Sequence, residues 1–139
     1  MAKTVSDVMT PDPVAMDAKE PVAKAAAAMR DQGIGTVVVL KDGTPCGLVT
    51  DRDITVRAVA VGSDPKSTPL EQICSQDVAA VEPDQSVDDA VQMMKSHDVR
   101  RVLVMENKQL KGIVSLGDLA ARGVDRDVQR DISRAEPNN

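Results

Sequence analysis

The stretch Gly47-Leu48-Val49-Thr50-Asp51-Arg52-Asp53-Ile54 returns as Gly112-Ile113-Val114-Ser115-Leu116-Gly117-Asp118-Leu119. Each copy has a glycine, two aliphatic residues, a small hydroxyl residue and, three positions on, an aspartate. Outward from these motifs, a shift of 65 residues lays Val5–Ile54 on Leu70–Leu119 without a gap. Val22, Ala25, Ala26 and Met29 fall on Val87, Ala90, Val91 and Met94. Both sets have the i, i+3, i+4, i+7 spacing of one apolar helix stripe. Val37 and Val39 fall on Val102 and Val104. An internal repeat of this kind governs every local assignment.

Each repeat reads in the same order. A helical turn comes first, near Val5–Met9 and Leu70–Cys74, then a brief extended piece near Val14–Met16 and Ala79–Val81. An amphipathic helix follows, about Pro21–Asp31 and Val87–His97. Two strands close the unit, TVVVL with GLVT and RVLVM with GIVS, and a last helix starts at the hydroxyl residue. Asp42-Gly43 marks a tight hairpin in the first copy. In the second leading turn, Thr68 is expected as N-cap, Pro69 as first helical residue and Glu71 as the closing partner of a capping box. The fold class is therefore α/β, tandem repeats of β-α-β-β-α with a leading helical turn. The β-α-β step predicts parallel strands by a right-handed crossover. One three-stranded sheet with helices on one face leaves the other face bare, so the two copies are expected to pack as a pseudo-two-fold pair. The repeats are placed at 1–62 and 70–123, with a Gly/Pro/Ser-rich linker at 63–69 and a charged C-terminal tail at 124–139.

Composition narrows the functions. Phe, Tyr and Trp are absent, so the core is built from aliphatic residues and seven Met. No aromatic platform exists for stacking a base. Net charge is −5, which disfavours general attraction to nucleic acid or anionic membranes. The N-terminal MAKTVSDVMT has no signal-peptide run, and nothing approaches a membrane span, so a cytoplasmic protein is expected. Cys46 and Cys74 lie far apart in sequence without CxxC spacing and read as small buried hydrophobes; a disulfide or sensor thiol is the alternative. His97 is the single histidine, leaving little material for a metal site or a nucleophile–base relay. No catalytic residue and no metal ligand is assigned.

The doubled motif has two readings. Ser/Thr-x-x-Asp at a strand-to-helix junction is a capping box and needs no ligand. Yet Asp is short for that task, both copies use it, and strand ends facing helix starts are where α/β folds place ligands. A carboxylate there can accept from the two hydroxyls of a ribose, and the helix start offers N–H groups to an anion.

The doubled Gly-aliphatic-aliphatic-Ser/Thr-x-x-Asp, in register with matching helices and hairpins, resembles the CBS-domain pair, or Bateman module. The run VTDRDITVRAVAVGSDP resembles small stand-alone bacterial members. The resemblance covers nearly the whole chain. It implies two related clefts that take an adenosine-type small molecule, AMP, ADP or ATP, with no required cofactor. By position it implies that Thr50 with Asp53, and Ser115 with Asp118, hold ribose. Pro13, Val14, Val78, Ala79, Val37 and Val102 would wall the base. Arg100 and Arg101 stand where nucleotide-sensing members carry phosphate-binding groups; the first copy has Gly35 and Thr36 there. Arg101 suits phosphate through its planar fork, though a solvated arginine pair fits the sequence as well. The implied function is a stand-alone regulatory module, not an enzyme. It would sense nucleotide in the cleft between two repeats and signal to an unknown protein effector. A dimerisation or adaptor module with vestigial clefts is the alternative. Surplus apolar residues on the helices, including Ile54, Val56, Val59 and Val61, point to a homodimer.

Overall fold

The computed structural model describes residues 3–121; the tail expected at 124–139 lies outside them. In order the elements are α1 (Val5–Val8), β1 (Thr10–Pro11), β2 (Ala15–Asp17), α2 (Val22–Gln32), β3 (Thr36–Lys41) and β4 (Thr44–Thr50). Then α3 (Asp51–Asp53) runs into a π-helical segment, Ile54–Val59, and a 3-10 turn follows at Leu70–Gln72. The chain continues through β5 (Ala80–Val81), α4 (Val87–His97), β6 (Arg101–Glu106), β7 (Gln109–Ser115) and α5 (Leu116–Ala121). Two mixed sheets result, ordered β1-β7-β6-β5 and β2-β3-β4. In each, the strand before the long helix runs parallel to the strand after it, as the expected crossover requires.

Binary patterning explains both bodies. Val22, Ala25 and Met29 of α2 pack with Val37, Val39 and Val49. Ala90, Val91 and Met94 of α4 pack with Val102, Val104 and Val114. Helix α4 opens on a capping box between Ser86 and Asp89. Helix α2 opens on Pro21, which has no side chain to cap with. Its first N–H groups are instead accepted by the carbonyls of Thr68 (2.9 Å) and Pro65 (2.9 Å). The segment expected as a linker is thus a cap. This also corrects the reading of Thr68. Its hydroxyl donates to the Asp64 carbonyl at 2.7 Å, Pro69 occupies the N-cap, and Glu71 pairs with Lys19 at 2.9 Å. Thr68 closes the turn that caps α2, so it is not available to cap its own.

The compact units cross the repeats. One gathers residues 3–13 and 77–121; the other is Val14–Gln76. The leading segment of each repeat is therefore bonded to the body of the other repeat, and the two exchanges match bond for bond. Val5 N–H donates to Gln85 O, Ser6 N–H to Pro83 O, and Val87 N–H to Lys3 O. Their counterparts are Leu70 to Glu20, Glu71 to Ala18, and Val22 to Thr68. Past the helical turn, Thr10 and Pro11 pair with Ile113 and Gly112, while Ser75 bridges Leu48.

Both hairpin turns have two residues at positive φ: Asp42 (53°) with Gly43 (79°), and Asn107 (52°) with Lys108 (65°). This is the geometry that matches strand twist. Lys108 stands where the first repeat has Gly43. Lys108→Gly is expected to stabilise the protein by about 1 kcal/mol, since a side chain in that region costs about 1–2 kcal/mol. A higher urea midpoint at unchanged slope would register it; an unchanged midpoint would contradict it.

Candidate ligand site at the doubled strand-to-helix junction

Both motifs end a strand and start a helix, β4 into α3 and β7 into α5. Both form the capping box. Thr50 N–H donates to Asp53 Oδ2 at 2.9 Å, and Asp53 N–H donates to Thr50 Oγ1 at 3.2 Å. Ser115 N–H donates to Asp118 Oδ2 at 2.9 Å, and Asp118 N–H donates to Ser115 Oγ at 3.1 Å. One carboxylate oxygen of each aspartate is thereby committed to the backbone, and the difference between the sites lies in the other oxygen.

In the unit Val14–Gln76, Asp53 is 1% exposed and Thr50 is 1% exposed. Asp53 Oδ1 faces Arg57 Nε at 3.7 Å. The same guanidinium reaches the carbonyls of Ile73 and Cys74 at 3.3 and 3.4 Å. Arg57 therefore ties the first motif to the exchanged segment with a cation built into the fold. Asp51 N–H donates to Gly35 O at 3.1 Å, and a side chain at Gly35 would start 3.5 Å from the Asp51 carboxylate. Asp51 thus puts a carboxylate beside this helix start.

In the unit of residues 3–13 and 77–121, Ser115 and Asp118 are partly exposed. Asp118 Oδ1 accepts from the Thr10 hydroxyl at 3.4 Å. That bond is long, and a hydroxyl on a ligand could replace it. Leu116 N–H donates to Arg100 O at 2.9 Å, the counterpart of the Asp51–Gly35 bond. Arg101 stands directly opposite Ser115 in the β6–β7 register, so the two side chains share a sheet face. Leu116 replaces Asp51 and Arg100 replaces Gly35, so the charge at this helix start is reversed.

The remaining expected residues divide by unit. Pro13 and Val14 straddle the boundary between the units, and Val78, Ala79 and Val102 lie with Asp118 while Val37 lies with Asp53. Val37 and Val102 are 0% and 1% exposed, and their side chains belong to the two apolar cores. Ala79 is a core residue of the unit that holds Asp118, and Val14 packs against the core of the unit that holds Asp53. The carbonyls of Val14 and Ala79 accept from Val38 and Leu103 at 2.8 Å each. The side chains of Val14, Val37, Ala79 and Val102 are thus spent on packing. Two residues of the junctions were not read from the sequence. Arg57 had a signal, lying four positions beyond Asp53 on a helix. Thr10 had none, because 108 residues separate it from Asp118.

The cysteines, distant in sequence, line one pocket of about 550 Å³ with Lys41, Glu71 and Gln76. Cys74 is buried as expected and Cys46 half-buried. Burial pushes both thiols above the ordinary cysteine value. Among the described residues no group of three or more His, Cys, Asp or Glu is placed to hold a metal ion. Among them, too, no helix is long and apolar enough to cross a membrane.

Comparison with known proteins identifies the family and the fold. The family model described as CBS domain matches residues 5–59 and 70–125. CBS domain-containing protein YhcV of Bacillus subtilis is 35% identical over 117 residues, 84% of this chain and 83% of that protein. Hypoxic response protein 1 of Mycobacterium tuberculosis is 30% identical over 118 residues, 84% of this chain and 82% of that protein. A crystal structure of Hypoxic Response Protein I with two coordinated zinc ions superposes with a TM-score of 0.73 at 30% identity, covering 87% and 99% of the two chains. A CBS domain protein from Thermoplasma acidophilum shares the fold at a TM-score of 0.82 and 23% identity, over 97% of this chain and 76% of that one. With two matched repeats, two mixed sheets and a doubled junction motif, the chain belongs to the CBS-domain family as a tandem CBS pair.

Proposed function

We propose that this CBS pair is a non-catalytic regulatory module that binds an adenosine-type nucleotide, AMP, ADP or ATP, at the Ser115–Asp118 junction. The observation that carries the reading is the unequal exposure of the two motif aspartates, Asp53 buried against Arg57 and Asp118 partly exposed. Ser115 and Asp118 take the ribose hydroxyls, with Asp118 Oδ1 accepting in place of its bond from Thr10. Arg100 and Arg101 take phosphate. The start of α5 is too short to hold an anion by itself, so the arginines set the preference for phosphorylated ligands. Thr50 and Asp53 serve the fold, with Arg57 facing the Asp53 oxygen that a second ligand would have to use. The backbones near Pro13, Val78 and Ala79 border the base, which meets aliphatic surface in a protein without aromatic residues. The signal passes to a protein effector through the difference in nucleotide affinity between two states of the pair.

Titration calorimetry of AMP, ATP and adenosine tests this. One nucleotide per chain is expected, with Arg101→Ala weakening AMP and ATP more than adenosine. Absence of binding at millimolar nucleotide would sink the proposal and favour an adaptor module.

The exposed apolar residues support assembly into a homodimer. Val56, Val59 and Val61 are 48%, 64% and 67% exposed, clustered on and just after the π-helical segment. Sedimentation at tens of micromolar is expected to give twice the chain mass. Val59→Asp combined with Val61→Asp is expected to give the monomer. A wild-type protein at single-chain mass would contradict this.

A further inference from the structure

The register of the β3–β4 hairpin slips by one residue: Val39 pairs with Gly47, but Leu40 pairs with Pro45. Cys46 is the extra residue of that bulge. A bulge places two neighbouring side chains towards one face and re-aims the extra one. Cys46 accordingly packs against the apolar core from the side on which Gly47 and Val49 look inwards. The exchanged segment lies on that same side. Ser75 bridges Leu48, and Cys74 Sγ stands 2.9 Å from where a Cβ on Gly47 would be. Gly47 has no side chain, so nothing of its own separates Cys74 from its chain neighbour Cys46. The two thiols line one open pocket, and Cys46 lies close enough to help hold Cys74 in its protonated form. The other repeat has Lys111 and Met9 at these positions, so the pair is peculiar to one unit.

We propose that Cys46 and Cys74 form an oxidisable dithiol site, whose disulfide staples the exchanged segment around Leu70–Gln76 to β4. The oxidant is a hydroperoxide. Cys46, the more exposed thiol, attacks the terminal peroxide oxygen as thiolate, the O–O bond breaks, and a sulfenic acid forms with release of water or alcohol. Cys74 then attacks that sulfur as thiolate, the S–O bond breaks and a second molecule of water leaves. Two thiols are oxidised by two electrons and one peroxide is reduced. Because desolvation holds both thiols in the protonated form, the reaction is slow at neutral pH and accelerates as pH rises. The staple closes a long chain loop across Cys46–Cys74, the geometry in which a disulfide restricts the unfolded chain most.

The test is hydrogen peroxide treatment of the intact protein at several pH values, with trapping of remaining thiols and mass spectrometry of non-reduced peptides. A Cys46–Cys74 crosslink within one chain is expected, its rate rising with pH from neutral towards pH 9. The oxidised wild type is expected to melt roughly 5–10 °C above the reduced form. Cys46→Ser and Cys74→Ala should each lose that rise, and Cys46→Ser also keeps the buried thiol in place should Cys74→Ala prove poorly folded. Oxidation to sulfinic acid without a crosslink, crosslinks only between chains, or a crosslink that leaves the melting temperature unchanged would each overturn the proposal.

Discussion

Gly112→Ala and Gly47→Ala are each expected to destabilise the protein by about 1–3 kcal/mol, more than any ordinary surface substitution. Neither glycine has a positive φ, so the cause is space and not dihedral freedom. A Cβ on Gly112 would stand 2.7 Å from Thr10 O and 2.7 Å from Met9 Sδ. A Cβ on Gly47 would stand 2.6 Å from Ser75 O. The methionine side chain can yield, but the carbonyls belong to backbone held by sheet bonds. Each new methyl must therefore lift the exchanged segment off its strand, which breaks the Thr10–Ile113 or the Leu48–Ser75 pairing. Urea denaturation should show a lower midpoint. Faster hydrogen exchange should appear at Asp12 N–H for Gly112→Ala and at Ser75 N–H for Gly47→Ala. Wild-type midpoints for both variants would show that the exchanged segments have room to spare.

The second large effect separates the two aspartates. Asp118→Asn is expected to weaken nucleotide at least roughly tenfold, about 1.4 kcal/mol, with a small change in melting. Asn keeps an acceptor for the capping bond but loses the charge that a ribose hydroxyl would meet. Asp53→Ala is expected to do the reverse. It removes the acceptor of the Thr50 N–H, the partner of Thr50 Oγ1 and the counter-ion of Arg57 together. A cost of about 1–3 kcal/mol follows from a lost cap and a buried backbone donor left without its partner. Arg57 is half-exposed and can return to water, which keeps the cost below that of a fully buried ion pair. Nucleotide affinity should be unchanged when measured well below the melting transition. Loss of affinity in Asp53→Ala with none in Asp118→Asn would reverse the assignment of the two sites.

What the sequence determined by itself was local and periodic. The stripe Val22-Ala25-Met29 and its image Val87–Met94 could only be helices with one buried face. Val37-x-Val39 and Val102-x-Val104 could only be strands looking inwards. Asp42-Gly43 specified the hairpin turn, because few dipeptides tolerate two positive φ angles. The capping boxes at Thr50–Asp53 and Ser115–Asp118 were equally legible, since their partners are three residues apart. Only the tertiary structure decided which leading turn serves which body. Hydropathy treats Val5 and Leu70 alike, and nothing within either repeat says that Val5 bonds to Gln85 while Leu70 bonds to Glu20. That exchange is why the motif glycines are needed, why Thr10 reaches Asp118, and why two distant cysteines share a pocket. It also made near-identical motifs unequal. Asp51 where the other repeat has Leu116, and Arg100 where the first repeat has Gly35, set opposite charges around the same capping box. Backbone geometry follows the repeat that the two halves share, whereas electrostatics follows the few positions at which they differ.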